Sequence, residues 1–194
     1  MGGQGAVAFA HHKDTAATLY AIKFFFSSKA FEVERAAACN QALRALMPPV
    51  ATIEDDAGAL AAATARMPAP LCDHPLPPAI VTEKGESLDE FVARSAPDRF
   101  TALQVMVHIA RKLEQLHAAG YVHRDLKPGN AIWLPSQNSW TLIDFGCAAR
   151  AGATADLNFS LYYAPPEVVI AFKDGRQGIQ VAPAIDVWSL GVRP

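Results

Sequence analysis

Cysteine is scarce in this 194-residue chain. There are three, Cys39, Cys72 and Cys147, an odd number without the paired spacing of a disulfide framework or a zinc site. Such use points to a reducing compartment. An excess of one charge is missing too. Lys+Arg 17 against Asp+Glu 19 leaves a net charge of −2, which excludes the global basic field that would draw nucleic acid or an anionic membrane. No uninterrupted apolar stretch reaches the roughly 18 residues a membrane span needs. The Gly-rich N-terminus lacks a basic region followed by an apolar run, so no signal peptide is visible. No internal repeat is evident. The expectation is an intracellular chain, cytoplasmic or nuclear, with neither nucleic acid nor membrane as partner.

What is present is the balance of a globular domain, 51% hydrophobic and 19% charged, at a length that predicts about one domain. Leu19–Phe25 reads as a strand. The alanine-rich run that follows reads as one helix, with Phe31, Ala38, Ala42, Leu43 and Leu46 near helical spacing and Pro48-Pro49 as its end. Residues 57–78 are rich in Ala and Pro, and prolines so spaced predict an exposed insertion. Ala79–Thr82 reads as a short buried strand. A second helix is predicted from a capping box at Thr101–Gln104, with an apolar stripe of Leu103, Met106, Val107, Ala110, Leu113 and Leu116 and a stop at Gly120. Ala131–Leu134 and Trp140–Ile143 flank a polar turn like a hairpin. Strands early and helices later predict an α+β fold with two lobes around a cleft.

The chemistry is concentrated in His123-Arg124-Asp125-Leu126-Lys127-Pro128-Gly129-Asn130, followed nineteen residues after Asp125 by Asp144-Phe145-Gly146. Phosphoryl transfer needs a positioned hydroxyl, metal ions against the phosphate charge, and cations on the spreading negative charge. Asp125 is suited to accept or orient the hydroxyl proton, and Lys127 can direct its ammonium toward a γ-phosphate. Asn130 offers a neutral oxygen and Asp144 a carboxylate, the ligands Mg²⁺ prefers. Pro128 restricts Lys127 to an extended conformation. An isolated His-Arg-Asp is more often a turn with a surface ion pair. Eight specified positions with a correctly spaced Asp-Phe-Gly weigh against that alternative.

Together these stretches resemble the catalytic and metal-binding loops of the eukaryotic protein kinases, in the serine/threonine form marked by Lys127. The resemblance implies a bilobal fold, with residues 1–85 as N-lobe and hinge, including the insertion near 57–78, and 86–194 as part of the C-lobe. It implies ATP and Mg²⁺ as cofactors and a protein substrate with a Ser or Thr acceptor. Ala21-Ile22-Lys23 is similar to the family's strand that carries the lysine on the α- and β-phosphates. Phe31–Arg35 resembles the start of the helix that supplies its partner, Glu34, with Glu32 as the other choice. Gly2, Gly5 and Val7 fit the last part of the glycine-rich loop, with Val7 covering the adenine, and Ala21 is implied among the ATP-binding residues. Val81–Gly85 resembles the hinge, placing Thr82 as gatekeeper and Glu83 among the nucleotide contacts.

Tyr163–Glu167 resembles the end of the activation segment, with Pro165 where the family has alanine. Ser160 falls where the family has a Thr that contacts the catalytic Asp and Lys. Arg124 implies control by a phosphate on this segment, Thr154 being the best-placed acceptor, and hence an upstream activating kinase. Asp186 is similar to the residue that holds the backbone of the catalytic loop. Measured against the family pattern, the chain is truncated at both ends: the first glycine would precede Met1, and further helices would follow Pro194. The expectation is an ATP- and Mg²⁺-dependent serine/threonine protein kinase; a catalytically inert kinase fragment or pseudokinase-like binding module is the alternative class, and a small-molecule kinase a third.

Overall fold

The computed structural model describes residues 5–12, 15–44, 46–48, 50–53 and 78–192. The Ala/Pro-rich stretch expected as an insertion near 57–78 lies, but for Pro78, outside the described residues. The chain divides into two compact units, residues 1–36 with 49–84, and residues 37–48 with 85–194.

The first unit is built on an antiparallel sheet in the order β1-β2-β4-β3: β1 Gly5–His12, β2 Thr15–Phe25, β3 Val50–Ile53 and β4 Ala79–Glu83. Opposed residues of an antiparallel ladder project to the same face. Val7 pairs with Lys23, Lys23 with Ile80, Phe9 with Ala21, and Ala21 with Thr82, so these residues line one side of the sheet. Helix α1 (Ser28–Cys39) packs there through Phe31, whose ring meets Phe25 edge-on at 5.6 Å over buried Ile80. Burying such side chains stabilises the fold by about 1.5–3 kcal/mol each. A Cβ on Gly5 would collide with the Phe24 carbonyl, which explains glycine at the first paired position.

The second unit begins with a correction. The alanine-rich run is two helices, α1 and α2 (Gln41–Arg44), interrupted at Asn40. The Asn40 side-chain oxygen accepts from the amides of Ala42 and Leu43 at 3.0 and 3.4 Å, a local competition that periodicity does not reveal. Its amide nitrogen donates to the Tyr121 hydroxyl at 2.7 Å. Ala42 is exposed, whereas Ala37, Ala38, Leu43, Leu46 and Met47 are buried.

Two strand residues, β5 (Glu86–Ser87), lead into α3 (Leu88–Ser95), capped by a reciprocal Ser87–Glu90 box. Helix α4 (Arg99–Ala118) starts earlier than its predicted capping box. Asp98 is the cap, and the Thr101 amide donates to its carboxylate at 2.7 Å. The buried side of α4 is Val105, Ile109, Leu113 and Leu116, while Leu103, Met106 and Val107 are exposed. That face packs on β6 (Tyr121–Val122) and on the hairpin of β7 (Ala131–Leu134) and β8 (Ser139–Leu142). The hairpin turns through Asn138 in the left-handed region, φ 46°. Trp140 is held between Phe91 and Trp133, both edge-on.

After the hairpin, β9 (Ala149–Arg150) pairs with β6 and β10 (Thr154–Ala155) with β11 (Ile179–Gln180). Helices α5 (Pro166–Lys173) and α6 (Ala184–Gly191) close a core of Val122, Val168, Val181 and Ile185. Mixed strands and helices make the fold α+β. Among the described residues no helix is long and apolar enough to cross a membrane.

Candidate active site

The predicted site residues fall into two groups, one in each unit. In the first unit, Lys23 leaves β2 and its Nζ lies 2.7 Å from Oε2 of Glu34 on α1. Glu34 is buried, so its charge depends on such partners. Glu32, the other choice, instead pairs with Arg35 at 2.7 Å on the exposed side of the helix. Val7 is exposed opposite Lys23, and Ala21 lies two residues away on the same face. Glu83 ends β4, followed by Lys84, whose amide donates to Leu19 at 2.8 Å and whose ammonium sits over the Phe9 ring. Gly2 lies outside the described residues. Gly5 belongs to β1.

In the second unit the catalytic-loop residues are bound on several sides. Asp186, fully buried in the first turn of α6, accepts from the His123 amide through Oδ2 and the Arg124 amide through Oδ1, both at 2.8 Å. His117 on α4 donates its Nε2 hydrogen to the same carboxylate at 2.8 Å. Arg124 is thereby held at φ 69°, a left-handed conformation costing a non-glycine residue roughly 1–2 kcal/mol. The His123 ring is buried against Phe145. Its Nδ1 faces the Asp125 amide at 3.4 Å, and since an amide only donates, the ring hydrogen is on Nε2, which donates to Ile143 O at 2.9 Å.

This frame presents a compact polar cluster. Asp125 Oδ2 lies 2.7 Å from Lys127 Nζ, Asp125 Oδ1 accepts from Ser160 Oγ at 2.6 Å, and Lys127 Nζ also reaches Ser160 Oγ at 3.0 Å. Lys127 is extended, φ −156° and ψ 165°, before Pro128. The Asn130 amide nitrogen donates to Asp125 O at 2.8 Å and to its carboxylate at 3.2 Å, leaving the amide oxygen as the atom a cation could use. Asn130 O accepts from the Ile143 amide at 3.0 Å, so the hairpin places Asn130 beside the residue that precedes Asp144. Asp144 is left-handed at φ 62°.

Among the described residues no group of three or more His, Cys, Asp or Glu could hold a metal by itself. One amide oxygen and one carboxylate suit a hard cation completed by phosphate and water oxygens, the usual form of an Mg²⁺ site. Burial first, then the charges of Asp125 and Asp144, push the Cys147 thiol up to about 11, which disfavours its thiolate near neutral pH.

Sequence reasoning did not find His117 or Asp156. His117 shows no signal beyond its place near the end of α4. Asp156 stands two residues after Thr154, at no motif position. Its main-chain oxygen and carboxylate both bind the Arg124 guanidinium.

Residues 79–193, more than half of the chain, match the protein kinase domain family. The chain belongs to that family. It is similar to serine/threonine-protein kinases drp72 of Corynebacterium efficiens, 37% identical over 111 residues, 56% of this chain and 21% of the relative. A ribosomal protein S6 kinase alpha-2 of Mus musculus is 35% identical over 115 residues, 56% of this chain and 15% of the relative. A calcium and calcium/calmodulin-dependent serine/threonine-protein kinase of Oryza sativa subsp. japonica is 37% identical over 113 residues, 56% of this chain and 20% of the relative. The matches thus take in about a fifth or less of these relatives' length. In this protein kinase domain, the match begins at β4 and includes Asp125, Lys127, Asn130, Asp144 and Asp186.

Proposed function

We propose that this chain carries the phosphoryl-transfer site of an ATP- and Mg²⁺-dependent serine/threonine protein kinase, which moves the γ-phosphoryl group of ATP to a hydroxyl of a protein substrate. The observation that carries the reading is the cluster about Asp125. A carboxylate that already accepts from one hydroxyl at 2.6 Å, beside an ammonium at 2.7 Å, is suited to receive a substrate hydroxyl and orient its oxygen for in-line attack. Lys127, in contact with both Asp125 and Ser160, would place its charge where negative charge spreads on the transferring group.

Asn130 and Asp144 would hold Mg²⁺, which neutralises phosphate charge when bound. Lys23, oriented by Glu34, would take the α- and β-phosphates. Gly2 and Gly5 would approach the phosphates through their backbone, with Val7, Ala21 and the backbone about Glu83 at the adenine. The same reading takes residues 1–85 as the nucleotide-side lobe with its hinge and 86–194 as part of the substrate-side lobe. The sparse, unpaired cysteines favour an intracellular site of action.

Asp125→Asn tests the assignment. Transfer from Mg-ATP to serine- and threonine-containing peptides should fall by about 10²–10⁴-fold, while the thermal shift produced by Mg-ATP is kept. Equal turnover in the variant would remove Asp125 from the mechanism. A wild-type chain that shows neither a thermal shift nor transfer would defeat the whole reading.

A further inference from the structure

The Arg124 side chain is only 5% exposed, and a guanidinium that far from water needs acceptors and an anion. Its four terminal N–H groups all have them. Nη1 donates to Cys147 O at 2.9 Å and to Asp156 Oδ1 at 3.5 Å, and Nη2 donates to Asp156 O and to Asp156 Oδ1 at 3.3 Å. One residue thus supplies both a main-chain oxygen and a carboxylate. The other carboxylate oxygen of Asp156 accepts from Asn158 Nδ2 at 2.8 Å, so each oxygen has its own partner although the Asp156 side chain is 70% exposed.

The backbone just before Asp156 is already laced in. Ala151 donates to Gly120 O, Gly152 to Val181 O, and Val181 to Ala153 O, all at 2.8–2.9 Å, and Thr154 and Ala155 pair with Gln180 and Ile179. Thr154 is exposed in that ladder. A phosphate on it would have to displace Asp156 to reach the Arg124 terminal nitrogens.

We infer that Asp156 is the resident anion of Arg124, and that it orders residues 147–160 beside the catalytic loop without phosphorylation of the chain. Asp156 is then a positioning residue acting through Arg124, and the enzyme needs no upstream kinase acting on Thr154. That consequence rests on the kinase reading above, whereas the contact itself does not.

Amide hydrogen exchange on phosphatase-treated chain, its unmodified mass verified, tests this. Residues 149–155 should be protected in the unmodified protein. Asp156→Asn, which keeps the size and the main-chain oxygen but deletes the charge, should speed their exchange by about ten-fold or more, as should Asp156→Ala, and Thr154→Val should not. Unchanged exchange in both Asp156 variants would overturn the inference. So would a segment that becomes protected only after Thr154 is phosphorylated. The Mg-ATP thermal shift is read separately, so a chain that fails to bind nucleotide yet shows these exchange changes refutes the kinase reading and supports this one.

Discussion

Among the described residues, Lys23–Glu34 in the first unit and Lys127–Asp125 in the second are both lysine–carboxylate pairs at 2.7 Å, and the two are built differently. Lys23 and Glu34 are eleven residues apart, on a strand and a helix, and their contact exists because α1 lies on the sheet. Asp125 and Lys127 are two residues apart in one loop, and their geometry is imposed by backbone hydrogen bonds to Asp186 and by the extended conformation before Pro128. The first pair reports on packing between elements. The second reports on the state of a loop whose support comes from elsewhere. Equal distances therefore do not mean equal contributions to stability.

Removing the support should have the largest effect. Asp186→Ala strips the acceptor from two buried amides and from His117, and should destabilise the second unit by about 3–5 kcal/mol in denaturant unfolding. A loss under one would show that Asp186 is not what fixes the loop. Next comes the Lys23→Met, Glu34→Gln double-mutant cycle, which should return a coupling of about 1 kcal/mol or more to stability. The corresponding Lys127→Met, Asp125→Asn cycle should return less, because the loop holds both groups close whether or not they attract. Equal couplings would erase the distinction.

The pH response sharpens it further on the side of the second unit. Cys147 rises from 9.0 to about 11 in the folded chain. Between those values the unfolded thiol ionises while the folded one keeps its proton. The part of the stability linked to Cys147 is therefore fully present below pH 9 and should be lost as pH rises toward 11. Thiol alkylation at pH 8 should modify exposed Cys39 and spare Cys147. A local effect that leaves both pairs intact should come from Ser87→Ala. Loss of that cap should cost about 1 kcal/mol, with Mg-ATP binding unchanged.

Local patterns were readable where only one answer satisfies them. The β7–β8 hairpin follows from two apolar runs and a polar turn, and the strand before α1 from its apolar, aromatic residues. Helix α4 was readable as a helix but not in its orientation. Two stripes share Leu113 and Leu116, and helical spacing cannot tell whether Leu103 and Met106 or Val105 and Ile109 meet the core. Thr-x-x-Gln fits a capping template and so misplaces the start of α4, while Asp98, the stronger carboxylate acceptor, lies three residues earlier. Around Asp125, the residues that come together sit at motif positions. The partners from distant segments, His117 and Asp156, carry no local signature, since their contacts depend on tertiary placement alone.

The hold of Asp186 on the catalytic loop also has a consequence in time. The amides of His123 and Arg124 find their acceptor 63 and 62 residues further along the chain. Chains are made from the N-terminus, so the loop emerges well before the carboxylate that sets it. Until residue 186 has been added and α6 has docked, the loop has no reason to hold Arg124 left-handed, and the cluster around Asp125 waits on one of the last helices described here. Any product ending before that point would carry the whole motif and lack its conformation.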